Sequence, residues 1–285
     1  KLVVFSAGYF AERIIEMGKR HGANVVVCQK PWGESFSEAD AADFLSKEKP
    51  NAVAFVNAET STGVLQNPKF ITGPAHSVGA IAIMDCVTSL GALPINLDEN
   101  GVDVAFSCTQ KGLSCPPGLS PVTASPMAVD RLRARQSTCP IWYLDLKLIL
   151  EYYEGAHRYH HTAPISMFYA LREALAAIVE EGVAARFARH QAAHDAFVRY
   201  VEQNGLQMFV KDPSKRVPNL NTVVVPEGVN DPATRKRLID KYGIEISGGF
   251  GPLAGKIFRI GLMGPLASEK DSVMLVDALL ECMKG

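Results

Sequence analysis

The chain has 285 residues, 47% of them apolar, and a formal net charge of -1 at pH 7. This length suits one large domain or two ordinary ones, with ample apolar content for a buried core. The lack of a basic excess disfavours nucleic acids and membrane surfaces as partners. No apolar run approaches the ~20 residues that span a bilayer, which argues against a transmembrane helix.

The six cysteines include no Cys-x-x-Cys pair, and Cys28 and Cys86 lie in or beside apolar runs. Free thiols in a reducing compartment are therefore predicted. The first residues, KLVVF, lack the layout of a signal peptide and are typical of a strand. We predict a soluble intracellular protein, cytoplasmic, with the peroxisome and the mitochondrion as alternatives.

The first half of the chain alternates short apolar runs with amphipathic segments. The pattern predicts helices at residues 9–21 and 37–47, and strands at residues 2–5, 23–28, 52–56, 81–84 and 102–106. Strands that are apolar on both faces and separated by helices indicate a mostly parallel sheet covered on both sides. Ligands of such sheets bind beyond the carboxyl ends of the strands.

The second half is richer in helices. Helices are predicted at residues 127–134, 143–153, 162–204 with a break at Gly182, 232–242 and from Ser268, and strands at 207–210, 220–225, 244–246 and 257–260. The last hundred residues thus read as a small α+β domain. We place the domain boundary inside the long helical run, with a large α/β domain at residues 1–184 and the small domain at residues 185–285.

Three polar side chains follow predicted strands of the first half. Thr60 follows strand 52–56, Asp85 follows strand 81–84, and Lys111 follows strand 102–106. They are therefore expected at one edge of the sheet. A strand-end aspartate and a loop lysine are each, taken alone, more often solvated charges. Together they are two of the groups that a pyridoxal phosphate enzyme requires, a lysine for an imine and a carboxylate beside the ring nitrogen.

Five segments in order along the chain strengthen this interpretation. They are E-T-S-T-G-V-L-Q (59–66), M-D-C-V-T-S-L-G (84–91), T-Q-K-G-L-S-C-P-P-G (109–118), Y-H-H-T-A-P (159–164) and G-K-I-F-R-I-G-L-M-G (255–264). With these segments the chain resembles the class V (fold type I) aminotransferases that depend on pyridoxal 5'-phosphate, specifically the alanine–glyoxylate/serine–pyruvate group. The joint match is highly specific and spans nearly the whole chain.

The resemblance implies a role for each matching residue. Lys111 corresponds to the Schiff-base lysine, Asp85 to the partner of the pyridine nitrogen, and Arg259 to the arginine that binds the substrate carboxylate. The further cofactor-binding positions are Phe10 and Val87 on the two ring faces, Thr60 near the phenolic oxygen, Gln110 beside the lysine, and Tyr159 and Thr162 at the phosphate of the neighbouring subunit. A homodimer with sites at its interface follows.

The resemblance also predicts that the N-terminal part of the family fold is missing from this chain. In relatives that part supplies an arm over the partner subunit and a turn that binds the cofactor phosphate at a helix N-terminus. The expected fold is thus a fold type I large domain with a mostly parallel sheet, N-terminally incomplete, plus the small C-terminal domain.

The expected activity is transamination between alanine or serine and glyoxylate or pyruvate. Related enzymes that act on 3-hydroxykynurenine, phosphonates or pyridoxamine are alternatives, as is a catalytically silent homologue or fragment. Cysteine desulfuration needs a mobile cysteine in a C-terminal loop, whereas Cys282 falls in the last predicted helix. Arg259 interrupts an apolar strand, and from the residues alone a structural salt bridge explains it as well as a carboxylate ligand does.

Two other motifs point to different chemistry. G-F-G-P-L-A (249–254) spells G-x-G-x-x-A, but a proline and another strand follow where a dinucleotide site needs a helix. His190 and His194 share one face of a predicted helix at the spacing of a metal site. No third ligand is evident nearby, so no metal is predicted, and their neighbours suggest a solvated face.

Overall fold

A computed structural model describes residues 1–154 and 157–284 of the chain. The strands are β1 (Leu2–Ser6), β2 (Val25–Gln29), β3 (Ala52–Val56), β4 (Ala58–Glu59), β5 (Val64–Leu65), β6 (Ile81–Asp85), β7 (Val104–Phe106), β8 (Val122–Ala124), β9 (Leu220–Val224), β10 (Ser247–Gly248) and β11 (Ile257–Gly261). The helices are α1 (Tyr9–Arg20), α2 (Glu38–Glu48), α3 (Lys69–Ser77), α4 (Pro126–Ala134), α5 (Leu146–Tyr153), α6 (Ile165–Glu181), α7 (Val183–Gln203), α8 (Asp231–Tyr242) and α9 (Glu269–Met283).

The larger sheet has the strand order β2-β1-β3-β6-β7-β8. All of its pairings are parallel except that between β7 and β8. Successive residues of β1 face opposite sides, so Val3 packs toward α2 and α3 whereas Val4 packs toward α1. The predicted parallel sheet with helices on both faces is confirmed.

The smaller sheet is antiparallel, with the order β10-β11-β9. Its core joins Phe258 and Ile260 of β11 to Phe197 of α7, Leu238 of α8 and Leu279 of α9. This arrangement fits the α+β pattern expected for the end of the chain. The boundary between residues 184 and 185 stays a prediction.

The long helical run is broken where the sequence predicted it. Gly182 has φ 86°, a left-handed value that favours glycine, and it separates α6 from α7. The start of α5 is later than predicted, because Asp145 accepts a hydrogen bond from the Lys147 N–H and caps the helix there.

Two short predicted strands are wrong. Residues 207–210 contribute only an isolated bridge between Met208 and Val223, and residues 244–246 lie outside any strand. Ser247 and Gly248 pair with β11 instead. Helix α3 was not predicted, because Pro74 lies inside it. Short apolar runs and an internal proline are local signals that tertiary packing overrides.

Three global expectations can be compared directly with this fold. The six cysteines are free thiols, as predicted. Within residues 1–154 and 157–284, no helix has both the length and the apolar character needed to cross a membrane. The G-F-G-P-L-A segment forms a 3-10 turn, Gly251–Leu253, followed by β11, which confirms that it lacks the helix of a dinucleotide site.

Candidate active site

The carboxyl ends of three neighbouring strands meet at one edge of the larger sheet. In the parallel register, Val56 of β3 lies beside Asp85 of β6, which lies beside Phe106 of β7. The segments that follow these strands carry Thr60, Asp85 itself and Lys111. The sheet therefore brings the three predicted strand-end positions to the same edge, as expected.

Asp85 is a buried carboxylate with an incomplete set of partners. Its Oδ1 accepts a hydrogen bond of 2.8 Å from the Val87 N–H, and Oδ2 has no hydrogen bond within the described residues. Burial, helped by the nearby Glu59 carboxylate, raises the pKa of Asp85 to about 6. The hydrogen bond from the Val87 N–H lowers this pKa but does not offset the effect of burial. Such an acid is suited to a cationic partner that would restore its charge.

Lys111 lies in a tight loop after β7. The Ser114 N–H donates to the Lys111 carbonyl at 3.0 Å, and the Cys115 N–H donates to the Thr109 carbonyl at 3.0 Å. The lysine side chain is half-buried, and its Nζ makes no hydrogen bond or ion pair with any residue that the structure describes. Its amine is thus held near the sheet edge without a structural role of its own. The adjacent Gln110 is exposed.

Thr60 is one of the buried polar residues of this edge. The Thr60 and Thr88 hydroxyls share a hydrogen bond of 2.6 Å, and the Asn219 side-chain amide donates to the Thr88 carbonyl at 2.7 Å. Val87 is half-buried. Because Asn219 directly precedes β9, these contacts tie the edge of the larger sheet to the smaller sheet.

Glu59 is a buried acid that the sequence analysis missed as a site residue. Its carboxylate accepts hydrogen bonds from the N–H groups of Phe10 and Ala11 at 3.4 and 3.3 Å, and from the Ser61 hydroxyl at 2.6 Å. Burial raises the pKa of Glu59. A Cβ at Gly8 would lie 2.4 Å from the Glu59 Cγ, so only glycine fits there. Glu59 therefore fixes the start of α1, and with it Phe10.

Arg259 is not part of a structural salt bridge. Its Nε donates to the Gly248 carbonyl at 2.7 Å and its Nη1 to the Thr60 carbonyl at 3.3 Å. No carboxylate of the described residues lies within ion-pair distance of it, and burial lowers its pKa. The structure therefore disfavours the salt-bridge alternative and leaves the guanidinium with donors for an external anion.

Aromatic rings cover one side of this guanidinium. The Arg259 Cζ lies 4.0 Å from the ring centroid of Phe250, which stacks on Tyr9 at 4.7 Å and meets Phe10 edge-on at 6.0 Å. Phe250 belongs to the glycine-rich segment that was set aside as a dinucleotide motif. Its ring links Arg259 to the first turn of α1, a contact that local sequence patterns do not predict.

Tyr159 and Thr162 lie on the surface of the single chain. Their hydroxyls share a hydrogen bond of 2.8 Å, and both side chains are exposed. Neither makes a hydrogen bond with Asp85, Lys111 or Arg259. One chain by itself therefore does not bring these two residues into the cluster at the sheet edge.

Comparison with known proteins decides the family. The model of the family described as "Aminotransferase class-V" matches residues 1–278. The chain belongs to the class V aminotransferases. The alanine–glyoxylate aminotransferase of Oryctolagus cuniculus is 35% identical over 99% of this chain and 73% of its own length.

Solved aminotransferase structures share the fold. The alanine–glyoxylate aminotransferase of Nostoc sp. superposes with a TM-score of 0.95 at 42% identity, over 99% of this chain and 74% of that one. The ureidoglycine–glyoxylate aminotransferase of Bacillus subtilis has a TM-score of 0.95 at 34% identity, over 99% and 73%. The predicted family, fold type and enzyme class are confirmed.

Class V aminotransferases of this kind use pyridoxal phosphate, so the predicted cofactor is confirmed. The residues present fit that group. Within the described residues, the buried carboxylate of Asp85 and the amine of Lys111 each lack a salt-bridge partner, and both residues lie at the same sheet edge. A cofactor with a carbonyl carbon and a basic ring nitrogen would supply both missing partners. The carbonyl carbon would react with the amine, and the protonated ring nitrogen would pair with the carboxylate.

The two helical histidines have no solvated face. His190 and His194 are both buried on α7, where His190 Nδ1 bonds to the Arg186 carbonyl at 2.8 Å and His194 Nδ1 to the Asn221 side chain at 2.7 Å. The expectation of a solvated face is wrong, because α7 packs between the smaller sheet and α9. Among the described residues no group of three metal-binding side chains occurs.

Proposed function

We propose that this class V aminotransferase transfers the amino group of alanine or serine to glyoxylate or pyruvate. The observation that carries the proposal is that a buried acid, Asp85, and a guanidinium, Arg259, both lie without a salt-bridge partner among the described residues, at the sheet edge that holds Lys111. The names of its relatives share glyoxylate, as acceptor for alanine in one group and for ureidoglycine in another. Glyoxylate is therefore the first acceptor to test.

Each proposed residue has a task that suits its surroundings. Lys111 Nζ would attach the cofactor covalently and then move a proton at the substrate Cα. Asp85 would stabilise positive charge at the ring nitrogen, and Arg259 would bind the substrate carboxylate through two hydrogen bonds. Bound pyridoxal phosphate supplies the electron sink that stabilises negative charge at Cα.

The remaining proposed residues hold and orient the cofactor. Phe10 and Val87 would flank the two faces of the ring, Thr60 would lie near its phenolic oxygen, and Gln110 would contact it beside the lysine. Tyr159 and Thr162, exposed in one chain, would reach the phosphate in the partner's site. A homodimer with shared sites is part of the proposal.

Two variants test the lysine. Lys111→Ala is expected to abolish turnover and the visible absorbance of the lysine-bound cofactor, whereas Lys270→Ala, which removes an exposed amine on α9, should keep both. Unchanged absorbance and rate in Lys111→Ala would falsify the assignment. No cofactor absorbance in the parent protein after addition of pyridoxal phosphate would favour the catalytically silent alternative.

A donor panel tests the substrates. We expect the highest kcat/KM for alanine or serine with glyoxylate or pyruvate. A preference for ureidoglycine, 3-hydroxykynurenine, a phosphonate or pyridoxamine would replace the proposed pair by that substrate. Arg259→Lys should raise the KM of every carboxylate donor, because a single ammonium does not form the paired hydrogen bonds of a guanidinium.

A further inference from the structure

Arg186 of α7 is a buried cation behind the proposed catalytic lysine. Its exposed fraction is 4%. Its Nε donates to the Gly91 carbonyl at 2.8 Å, and its Nη2 donates to the Gly112 carbonyl at 2.7 Å. Gly91 lies in the segment that follows Asp85, and Gly112 directly follows Lys111. One guanidinium thus binds main-chain oxygens of both loops.

The two loops also touch each other without room for a side chain. A Cβ at Gly112 would lie 2.3 Å from the Leu90 carbonyl oxygen, and a Cβ at Gly91, which has φ 79°, would lie 2.9 Å from the Gly112 carbonyl. The Ser114 hydroxyl accepts a third hydrogen bond, of 3.1 Å, from Arg186. Close packing and the guanidinium together set how the loops lie relative to each other.

Arg189 makes matching contacts with the segment that follows β11. Its Nη1 donates to the carbonyls of Gly264 and Ala267 at 2.8 and 2.7 Å. The Gly264 N–H donates to His190 Nε2 at 3.2 Å, so this segment is held from two sides. Because β11 carries Arg259, Arg189 supports the strand of the proposed substrate ligand.

A single carboxylate joins the two arginines. Glu181 accepts from Arg186 Nη1 at 2.9 Å and from Arg189 Nε at 2.6 Å. Hydrogen bonding from Arg189, reinforced by Arg186, lowers the pKa of Glu181 to about 2. The carboxylate therefore stays ionised and compensates charge that would otherwise be buried without a partner.

We infer that Arg186 is a positioning residue that sets Lys111 against Asp85, and that Arg189 is its counterpart for Arg259. The inference rests on the roles proposed for those three residues. Lysine cannot replace arginine here, because one ammonium on a flexible stem does not hold two carbonyls and a carboxylate in fixed directions. The two arginines should therefore affect different kinetic steps.

Matched variants of the full-length holoenzyme test this division. Arg186→Lys should lower kcat roughly tenfold to a hundredfold, the effect of a small displacement of a catalytic group, with little change in donor KM. The pH titration of the visible cofactor absorbance should shift as well. Arg189→Lys should raise the donor KM several-fold and leave that titration at its wild-type midpoint.

The proposal is overturned if both variants show the same kinetic pattern, or if Arg186→Lys titrates like the wild type. Urea denaturation of both variants checks that each one folds. Should Arg186→Lys fail to fold, Ser114→Ala removes one acceptor of the same guanidinium. It should move the midpoint of the absorbance titration away from the wild-type value, and a wild-type midpoint in Ser114→Ala overturns the proposal.

Failure of this inference is distinguishable from failure of the proposed function. If Lys111→Ala keeps the cofactor absorbance, the function proposed for Lys111 fails. If Lys111→Ala loses the absorbance while Arg186→Lys behaves like the wild type, only the positioning role fails.

Discussion

The buried carboxyl of Asp85 makes stability depend on pH. Its pKa is raised from 3.8 to about 6, chiefly by burial, so the folded chain binds this proton more tightly than the unfolded chain. Stability contributed by the protonated form is present below pH 4 and is lost as pH rises through 6. The loss is on the order of 3 kcal/mol, from about 1.4 kcal/mol for each pKa unit.

Asp85→Asn should therefore stabilise the cofactor-free protein at high pH. At pH 8 we expect it to exceed the wild type by on the order of 3 kcal/mol, and this advantage should shrink as pH falls from 6 to 4. Urea denaturation of both proteins across that range measures it. An advantage that does not vary with pH would show that Asp85 is not desolvated. The same variant should transaminate poorly, since it has no charge to offer the ring nitrogen.

The sequence supplies candidate site residues, which stay predictions, but it does not supply their surroundings. The resemblance selected Asp85, Lys111 and Arg259 by their motifs. It said nothing of the hydrogen bonds that Glu59 accepts from the first turn of α1, because these join residues 48 and 49 positions apart. His190 was assigned to a solvated face for the same reason, since burial depends on what packs against α7.

At the level of elements, the site depends on how the loops after β6 and β7 pack. Gly112→Ala places a methyl group 2.3 Å from the Leu90 carbonyl oxygen, so the backbone must move. We expect a loss of about 1–3 kcal/mol in the free energy of unfolding, as for other overpacked sites. Weaker cofactor binding should accompany it, because Lys111 is the preceding residue.

Gly261→Ala is the matched control for stability. A Cβ there meets only the Met263 side chain, at 3.7 Å, and Gly261 does not have a positive φ. The free energy of unfolding should stay the same or rise by up to about 1 kcal/mol. Chemical denaturation compares the two variants, and equal losses in both would mean that the contact between the loops does not limit the size of residue 112.

Elements with a strong periodic pattern were predicted well, and marginal ones were not. Strands β1, β3 and β6 are buried apolar runs. At the start of α2, the Ser37 and Asp40 side chains each accept a hydrogen bond from the other residue's backbone N–H. Apolar runs and such caps are both visible in a few consecutive residues. Strand β8 is exposed at every position and pairs only with β7. Nothing in its own residues marks it as a strand.

On the scale of the whole molecule, the region from residue 141 to 183 exposes many large apolar side chains. Trp142 is 57% exposed, Leu144 59%, Ile165 62% and Val179 74%. Exposed large apolar side chains are common at subunit interfaces. The region contains Tyr159 and Thr162, which supports the proposed homodimer with shared sites.

Subunit complementation tests the shared sites. Lys111→Ala and Thr162→Ala homodimers should both be nearly inactive. The first lacks the lysine that carries out the reaction, and the second should not retain the cofactor. Unfolding and refolding them together should recover about a quarter of wild-type activity, because half of randomly assorted dimers contain one intact site of two. Each variant refolded alone is the control. No recovery in a mixture that forms mixed dimers would place Thr162 in the site of its own chain.

The sequence by itself determined the family, the cofactor and the order of the strands and helices that have a strong periodic pattern. Motifs and short-range periodicity carry that information directly. Only the tertiary structure decided which distant groups contact the segments of the candidate site. Three sets of contacts join residues far apart in the chain. Arg186 binds the Gly91 and Gly112 carbonyls, Glu59 accepts hydrogen bonds from the first turn of α1, and Phe250 stacks on Tyr9. Whether such residues meet depends on how helices and sheets pack, and no local pattern records that packing.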